Sequence, residues 1–255
     1  MVHPLDVVVL KIKRAREHFD ELASEITAFL QPDTYEVVPR FDEDSGFQLF
    51  RLVAKKEVPP RVGILVGESL QQLRSALDHI AWQLALLTTD DPPSNTEFPV
   101  YKDRDGKRGY CNNRERKIGA IPSDAKTVID GMQPYLQPSP KEDPLWMLHR
   151  LANDDKHRLS HVVSAVPHGL IVERPAGVDL FFWLHTGPFD DDTDVVGVKV
   201  HPPNDPRMEV QVGVGEIVMC FGPAGAGRGR PVLALLDEFG RGLDATVAAF
   251  WRFFP

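Results

Sequence analysis

Between residues 66 and 87, apolar side chains recur at gaps of four and three without a break: Val66, Leu70, Leu73, Leu77, Ile80, Leu84 and Leu87. One face of an α-helix repeats every 3.6 residues, so this spacing predicts a long amphipathic helix from about Pro60 to about Leu87. Residues 4–30 carry a similar stripe, with Leu10, Ile12, Ala15, His18, Phe19, Leu22 and Ile26 near one face. Between the two lies TYEVVPRFDEDSGFQLFRLVAKK, where strand-like runs flank the turn signal DEDSG. That pattern predicts an N-terminal β-hairpin at about 35–57. Pro39 has no N–H to give to a ladder, which places the first strand at an edge or a bulge.

Residues 88–117 read as irregular, and a helix is expected over Asp124 to Tyr135. QPSPKEDP is a loop that ends as a helix start. Asp143 suits the N-cap and Pro144 the first helical position, so PLWMLHRLANDDKHR should be helical to about Arg158. Beyond it the period falls to two. HVVSAV, LIVERP, VDLFFWLH, DVVGVKV, MEVQVGV and EIVMCF are β-branched runs broken by Gly, Pro and Asp, which predicts an antiparallel β-meander at about 161–222. GPAGAGRGRP reads as a loop. PVLALLDEFGRGLDATVAAFWRFF closes the chain as a helix at about 231–254, weakened by Gly240 and Gly242 at about 1 kcal/mol each. The expected architecture is a single α+β domain over 1–255, in which long amphipathic helices pack with the meander and the hairpin.

Composition narrows the chemistry. The chain is 255 residues long with a formal charge of −8, so the molecule as a whole does not attract nucleic acid or anionic lipid. Contact with RNA needs a local basic patch, and the loop at 102–117 is the candidate. YKDRDGKRGYCNNRERK carries seven basic and three acidic residues, with Tyr101 and Tyr110 as stacking surfaces. Two cysteines without a CxxC speak against a disulfide scaffold and favour the cytoplasm. The apolar runs are too short for a membrane span.

His157-x3-His161 has metal-ligand spacing, but no glutamate follows His157 as in HExxH. FDDDTD has Val195 and His201 where a calcium loop needs glycine and an acid. GPAGAGRGRP lacks the Lys and Ser/Thr of a P-loop. Neither a metal nor a cofactor is expected.

Polar residues inside the helices are the remaining lead. Arg74 and Asp78 are four apart and can pair on a helix surface, worth a few tenths of about 1 kcal/mol. On the wheel of LWMLHRLANDDKHRLSH, Leu145, Leu148, Leu151, Ala152 and Leu159 share a face with Asp155 almost in its middle. A carboxylate there needs a cationic or donor partner, and Arg74 or His79 is the expected one. His149, Asn153 and His157 form an i,i+4,i+8 polar stripe on the same helix. Lys156, His157, Arg158 and His161 would also complement the helix dipole without any chemistry.

Arg74-Ser-Ala-Leu-Asp-His79 resembles the R-x4–6-H motif of the HEPN superfamily. That resemblance implies a metal-independent endoribonuclease, with His79 as acid/base, Arg74 as phosphate clamp and Asp78 or Asp155 as orienter, and with His157 beside them. HEPN proteins are helical bundles with the motif in a late helix, whereas here it lies early and strands follow. Residues five apart are also about 140° apart on a straight helix, so a second helix or subunit would have to complete the site. The LRSALDH helix, Phe98-Pro99, Gln133-Pro134-Tyr135 and Asn153 to Arg158 together resemble an uncharacterised bacterial family over about 64–160. This implies helices that pack together and no particular activity. Two expectations stand side by side: a HEPN-like RNA-cleaving or RNA-binding protein, possible as a homodimer, and a non-catalytic binding or assembly protein whose Arg/Asp/His cluster ties helices.

Overall fold

The structure, a computed structural model, describes residues 3–31, 33–156, 162–167, 170–173, 179–184, 194–201, 211–214, 217–222 and 225–254. The architecture is α+β. Helix α1 (Asp6–Phe29) packs along α2 (Pro60–Ala85), and each buries most of the stripe its sequence period defines; Leu10 of α1 is exposed instead, with Val8 and Phe29 on the buried face, and Leu87 lies exposed past the end of α2. Leu70, Leu73, Leu77, Ile80 and Leu84 have no exposed surface. The hairpin between the helices pairs β1 (Tyr35–Asp42) with β2 (Phe47–Ala54), and Gly46 takes the positive φ its turn requires. Pro39 lies in β1, the edge strand, where its missing N–H breaks no ladder.

The segment expected to be irregular holds a further helix, α3 (Tyr110–Ile118). Its sequence is too polar to show a stripe, and tertiary contacts hold it instead. Arg114 makes a two-pronged contact with Asp130 (Nε–Oδ1 2.8 Å, Nη2–Oδ2 2.7 Å), and Tyr110 donates its hydroxyl to the same carboxylate. Asp130 belongs to α4 (Ser123–Gly131), which stops before Pro134; a separate 3-10 turn, Pro134–Leu136, follows. The expected helix to Tyr135 is thus broken, since proline lacks the N–H that would continue it. Helix α5 (Pro144–Asp155) starts as the sequence requires: Asp143 Oδ1 accepts from the backbone N–H of Leu145 (2.9 Å) and Trp146 (3.2 Å).

Among the described residues six strands follow: β3 (Val162–Pro167), β4 (Leu170–Glu173), β5 (Asp179–Leu184), β6 (Asp194–His201), β7 (Gln211–Val214) and β8 (Ile217–Phe221). All pairings are antiparallel, but the order is nested rather than sequential: β3 with β8, β4 with β7, β5 with β6. Strand β6 also pairs with β2, so the hairpin joins a four-stranded sheet in the order β1-β2-β6-β5. Burial explains the partner. Val196 and Val198 of β6 are apolar and pack on Phe50 of β2, a cluster that a free-standing hairpin could not cover.

Helix α6 (Val232–Trp251) closes the described chain against α1, α2 and α5. Gly240 faces Arg16 and Phe19 of α1, where a Cβ would sit 3.6 Å from the Phe19 ring. That is an ordinary contact distance, so a Cβ would fit against α1 at this position. Among the described residues no helix is long and apolar enough to cross a membrane.

Candidate functional site

Helices α2 and α5 run against each other in a readable register. The Asp155 carboxylate lies over Gly67, where a Cβ would come within 2.6 Å of Oδ2. One turn on, Gln71 Nε2 donates to the Ala152 carbonyl at 2.7 Å. One turn further, His149 lies in the field of Arg74. The two helices meet as expected, but the expected partnership does not form. The contacts of Arg74 are with Asp78 and Phe98, and the acid of α5 sits two turns away, half-buried over Gly67. A Cβ at 67 would force the Asp155 side chain to move.

Arg74 is buried, with 6% of its surface exposed. Its Nη2 donates to the Phe98 carbonyl at 2.9 Å, while Asp78 Oδ1 accepts from the Phe98 N–H at 3.0 Å. Arg74 Nη1 lies 2.8 Å from the same Asp78 oxygen as an ion pair, without hydrogen-bond alignment. The pair thus holds both backbone groups of Phe98, whose ring is fully buried and meets Phe250 edge-on at 6.2 Å. The neighbouring backbone is held from the other side. Gln133 Nε2 donates to Pro99 O (2.9 Å), and its Oε1 accepts from the Tyr101 N–H (3.2 Å). The LRSALDH helix, the Phe98-Pro99 pair and the Gln133-Pro134-Tyr135 turn all converge on residues 98–101.

His79 is half-buried elsewhere on α2. Burial and the charge of Lys11 on α1 lower its pKa, and Asp78 opposes them. Arg74 and His79 therefore face different neighbours, as the 140° separation on a helix anticipates, roughly. Burial also lowers the Arg74 guanidinium pKa, and Asp78 pulls it back. His157 and His161 lie outside the described residues, as does FDDDTD apart from Asp194. That aspartate opens β6 and pairs with Arg40 (2.8 Å) and Arg51 (3.4 Å). Among the described residues no three His, Cys, Asp or Glu side chains cluster as a metal site would require.

A cleft of about 520 Å³ opens beside this clamp, between residues 97–103, the end of α3 and α5. Lys102, Arg108, Lys117 and Arg150 line it against two carboxylates, Glu97 and Asp103. Lys117 pairs with Glu97, Lys102 with Asp103 at 2.7 Å, and Arg150 with Asp154 at 3.0 Å. Arg108 is exposed and has no ion-pair partner among the described residues. Burial and the nearby Arg74 lower the Lys117 pKa, against the pull of Asp78.

Trp146 and His149 form the α5 wall, with ring centroids 5.8 Å apart. Burial, then the charges of Arg74, Lys117, Lys156 and Arg150, push His149 down to about 4, so it is neutral near pH 7. Its Nε2 lies 3.0 Å from Asn153 Nδ2, and Lys156 donates to Asn153 Oδ1 at 3.5 Å. That orientation puts the imidazole proton on Nδ1, which is buried without a hydrogen-bond partner among the described residues.

Comparison with protein-family models, with curated proteins and with solved structures gave no match.

The basic run at 102–117 is only partly free for a ligand. Arg114 is spent on Asp130, and Tyr110, expected as a stacking surface, is 2% exposed with its hydroxyl committed. Tyr101 stays half-buried on the cleft rim. Sequence reasoning placed His149 in a polar stripe but did not join it to the site, and it passed over Trp146; Lys117 it held only as one of the seven basic residues of the 102–117 run. The signal was Trp146, His149 and Arg150 at i, i+3 and i+4, one face of α5.

Proposed function

We propose that the protein binds RNA through the cleft between Lys117 and α5, and that Arg74 and Asp78 serve by fixing its floor. The observation that carries this reading is a net-positive pocket on a chain of charge −8, walled by an indole and a neutral imidazole. Backbone phosphates supply most of the non-specific affinity for nucleic acid, and aromatic faces accept bases of any identity. The His149 Nδ1–H, buried without a hydrogen-bond partner among the described residues, adds one neutral donor dipole to that wall. In this reading the likeness of Arg74-x4-His79 to the HEPN motif is one of spacing, and no cleavage step is assigned to it. A cytoplasmic setting belongs to the same proposal, since Cys111 and Cys220 are both free thiols.

The test is fluorescence anisotropy with a labelled 12-nucleotide RNA between 50 and 200 mM salt, on the order of the range where counterion release dominates. Wild type should bind with an affinity that falls steeply with salt. Arg108→Ala should weaken binding and reduce the log–log slope by roughly 0.7, the contribution of one phosphate contact to a single strand. Absence of binding at the lowest salt, or an Arg108→Ala variant indistinguishable from wild type, overturns the reading.

A further inference from the structure

A second cleft, about 640 Å³, adjoins the first and shares Lys102, Trp146 and Arg150 with it as a common wall. Its far side is the Gly-rich loop at 225–230, which carries Arg228 and Arg230, and its lip carries Lys141. Cations outnumber carboxylates here by more than in the first cleft: Lys102, Lys141, Arg150, Arg228 and Arg230 against Glu142. Arg230 is held by Glu238 at 2.6 Å, whereas Lys141 and Arg228 are exposed and have no ion-pair partner among the described residues. Gly227 lies beneath the loop, where a Cβ would be 3.0 Å from Leu235 of α6; this anchors the loop close to the helix layer.

From this juxtaposition we infer that the two clefts are successive subsites for one single-stranded RNA segment, which crosses the shared wall with a base stacked on Trp146. The inference rests on the RNA-binding reading above and deepens it. Three features point the same way. Unpaired cations stand on both sides of the wall, Arg108 in one cleft and Lys141 with Arg228 in the other, as successive phosphates would need. The wall itself presents a half-buried indole between paired cations, and stacking on an aromatic face is how sequence-tolerant single-strand binders hold bases. Each cleft is sized for a nucleotide rather than for a duplex, whose stacked bases cannot splay onto a side chain.

The test compares uridine 5′-monophosphate, an eight-nucleotide oligouridine and a 12-base-pair RNA duplex, by calorimetry and competition anisotropy at one fixed salt concentration. The oligouridine should bind at least tenfold more tightly than the mononucleotide and the duplex. The double variant Lys141→Ala/Arg228→Ala, both exposed side chains, should weaken the oligouridine about tenfold or more while the effect on the mononucleotide stays below twofold. Trp146→Leu should weaken the oligouridine by roughly 5- to 150-fold, the range of one lost base stack. Circular dichroism on each variant confirms that the fold is kept. If oligouridine and mononucleotide bind equally, or the double variant weakens neither, the second subsite is wrong while the RNA-binding reading survives. If polyglutamate competes as well as the oligouridine and Trp146→Leu has no effect, the trough is a general polyanion surface and the inference is overturned. Wild type that binds none of the RNAs removes both proposals together.

Discussion

The carboxylate of Asp155 lies directly over Gly67, so a side chain at 67 and that carboxylate cannot both keep these positions. Further along the same pair of helices Gln71 reaches the Ala152 carbonyl and His149 lies in the field of Arg74.

Gly67→Ala therefore forces Asp155 or the helix end to move. Overpacking of this kind costs about 1–3 kcal/mol. Urea unfolding should show that loss, and Gly67→Ala/Asp155→Ala should cost less than the sum of the single variants because the clash is shared. Additive losses would mean that the two sites do not constrain each other.

Removing Arg74 leaves the Phe98 carbonyl without its donor and Asp78 without its cation. Arg74→Ala should cost about 2–4 kcal/mol, reaching below the range of about 3–5 for breaking a fully buried pair, since the Asp78 side chain is 36% exposed. Arg74→Lys should rescue little of it, because one ammonium cannot replace a planar fork that reaches two acceptors. A drop below about 1 kcal/mol in chemical denaturation would show that the Phe98 clamp is not a stability element.

An ordinary histidine titrates near 6.5, whereas His149 in the folded chain is pushed down to about 4 by burial and then by Arg74, Lys117, Lys156 and Arg150. Below pH 6.5 the unfolded chain takes up a proton at this position and the folded chain does not. Its contribution is thus fully present above 6.5 and is lost as the pH falls towards 4, by at most about 1.4 kcal/mol per unit. His149→Gln should flatten that part of the stability profile between pH 7 and 5, on the order of two units of the window. An NMR titration that places the His149 ring near 6.5 would remove the basis of this prediction.

His79 is half-buried near Lys11 and takes no part in the Phe98 clamp. His79→Ala should change stability by less than about 1 kcal/mol and leave RNA affinity within twofold, roughly the scatter of such measurements. If wild type cleaves RNA and His79→Ala abolishes cleavage with its fold intact, the binding-protein reading gives way to the HEPN-like enzyme.

The helices and strands were legible because local spacing dictates them. The four-three gaps of α2 lie along one side of a 3.6-residue helix wherever that helix sits. Asp143 before Pro144 makes a cap with the N–H groups two and three residues on, and Pro39 is barred from any inner strand. Polar α3 escaped notice because its support, Arg114 on Asp130, comes from another helix and leaves no periodic trace.

For the site, the sequence by itself determined that Arg74 and Asp78 could pair, since residues four apart face each other on any helix. Only the tertiary structure decided that they would grip Phe98, that Asp155 would rest on Gly67, and that β6 would join the hairpin. Those outcomes depend on the register between elements remote in sequence, and register is set by which side chains can fill the space between them. The cleft arises in the same way: Lys117 near the end of α3, Arg108 just before its start, and Trp146 of α5 line one cleft only because packing brings the two helices together.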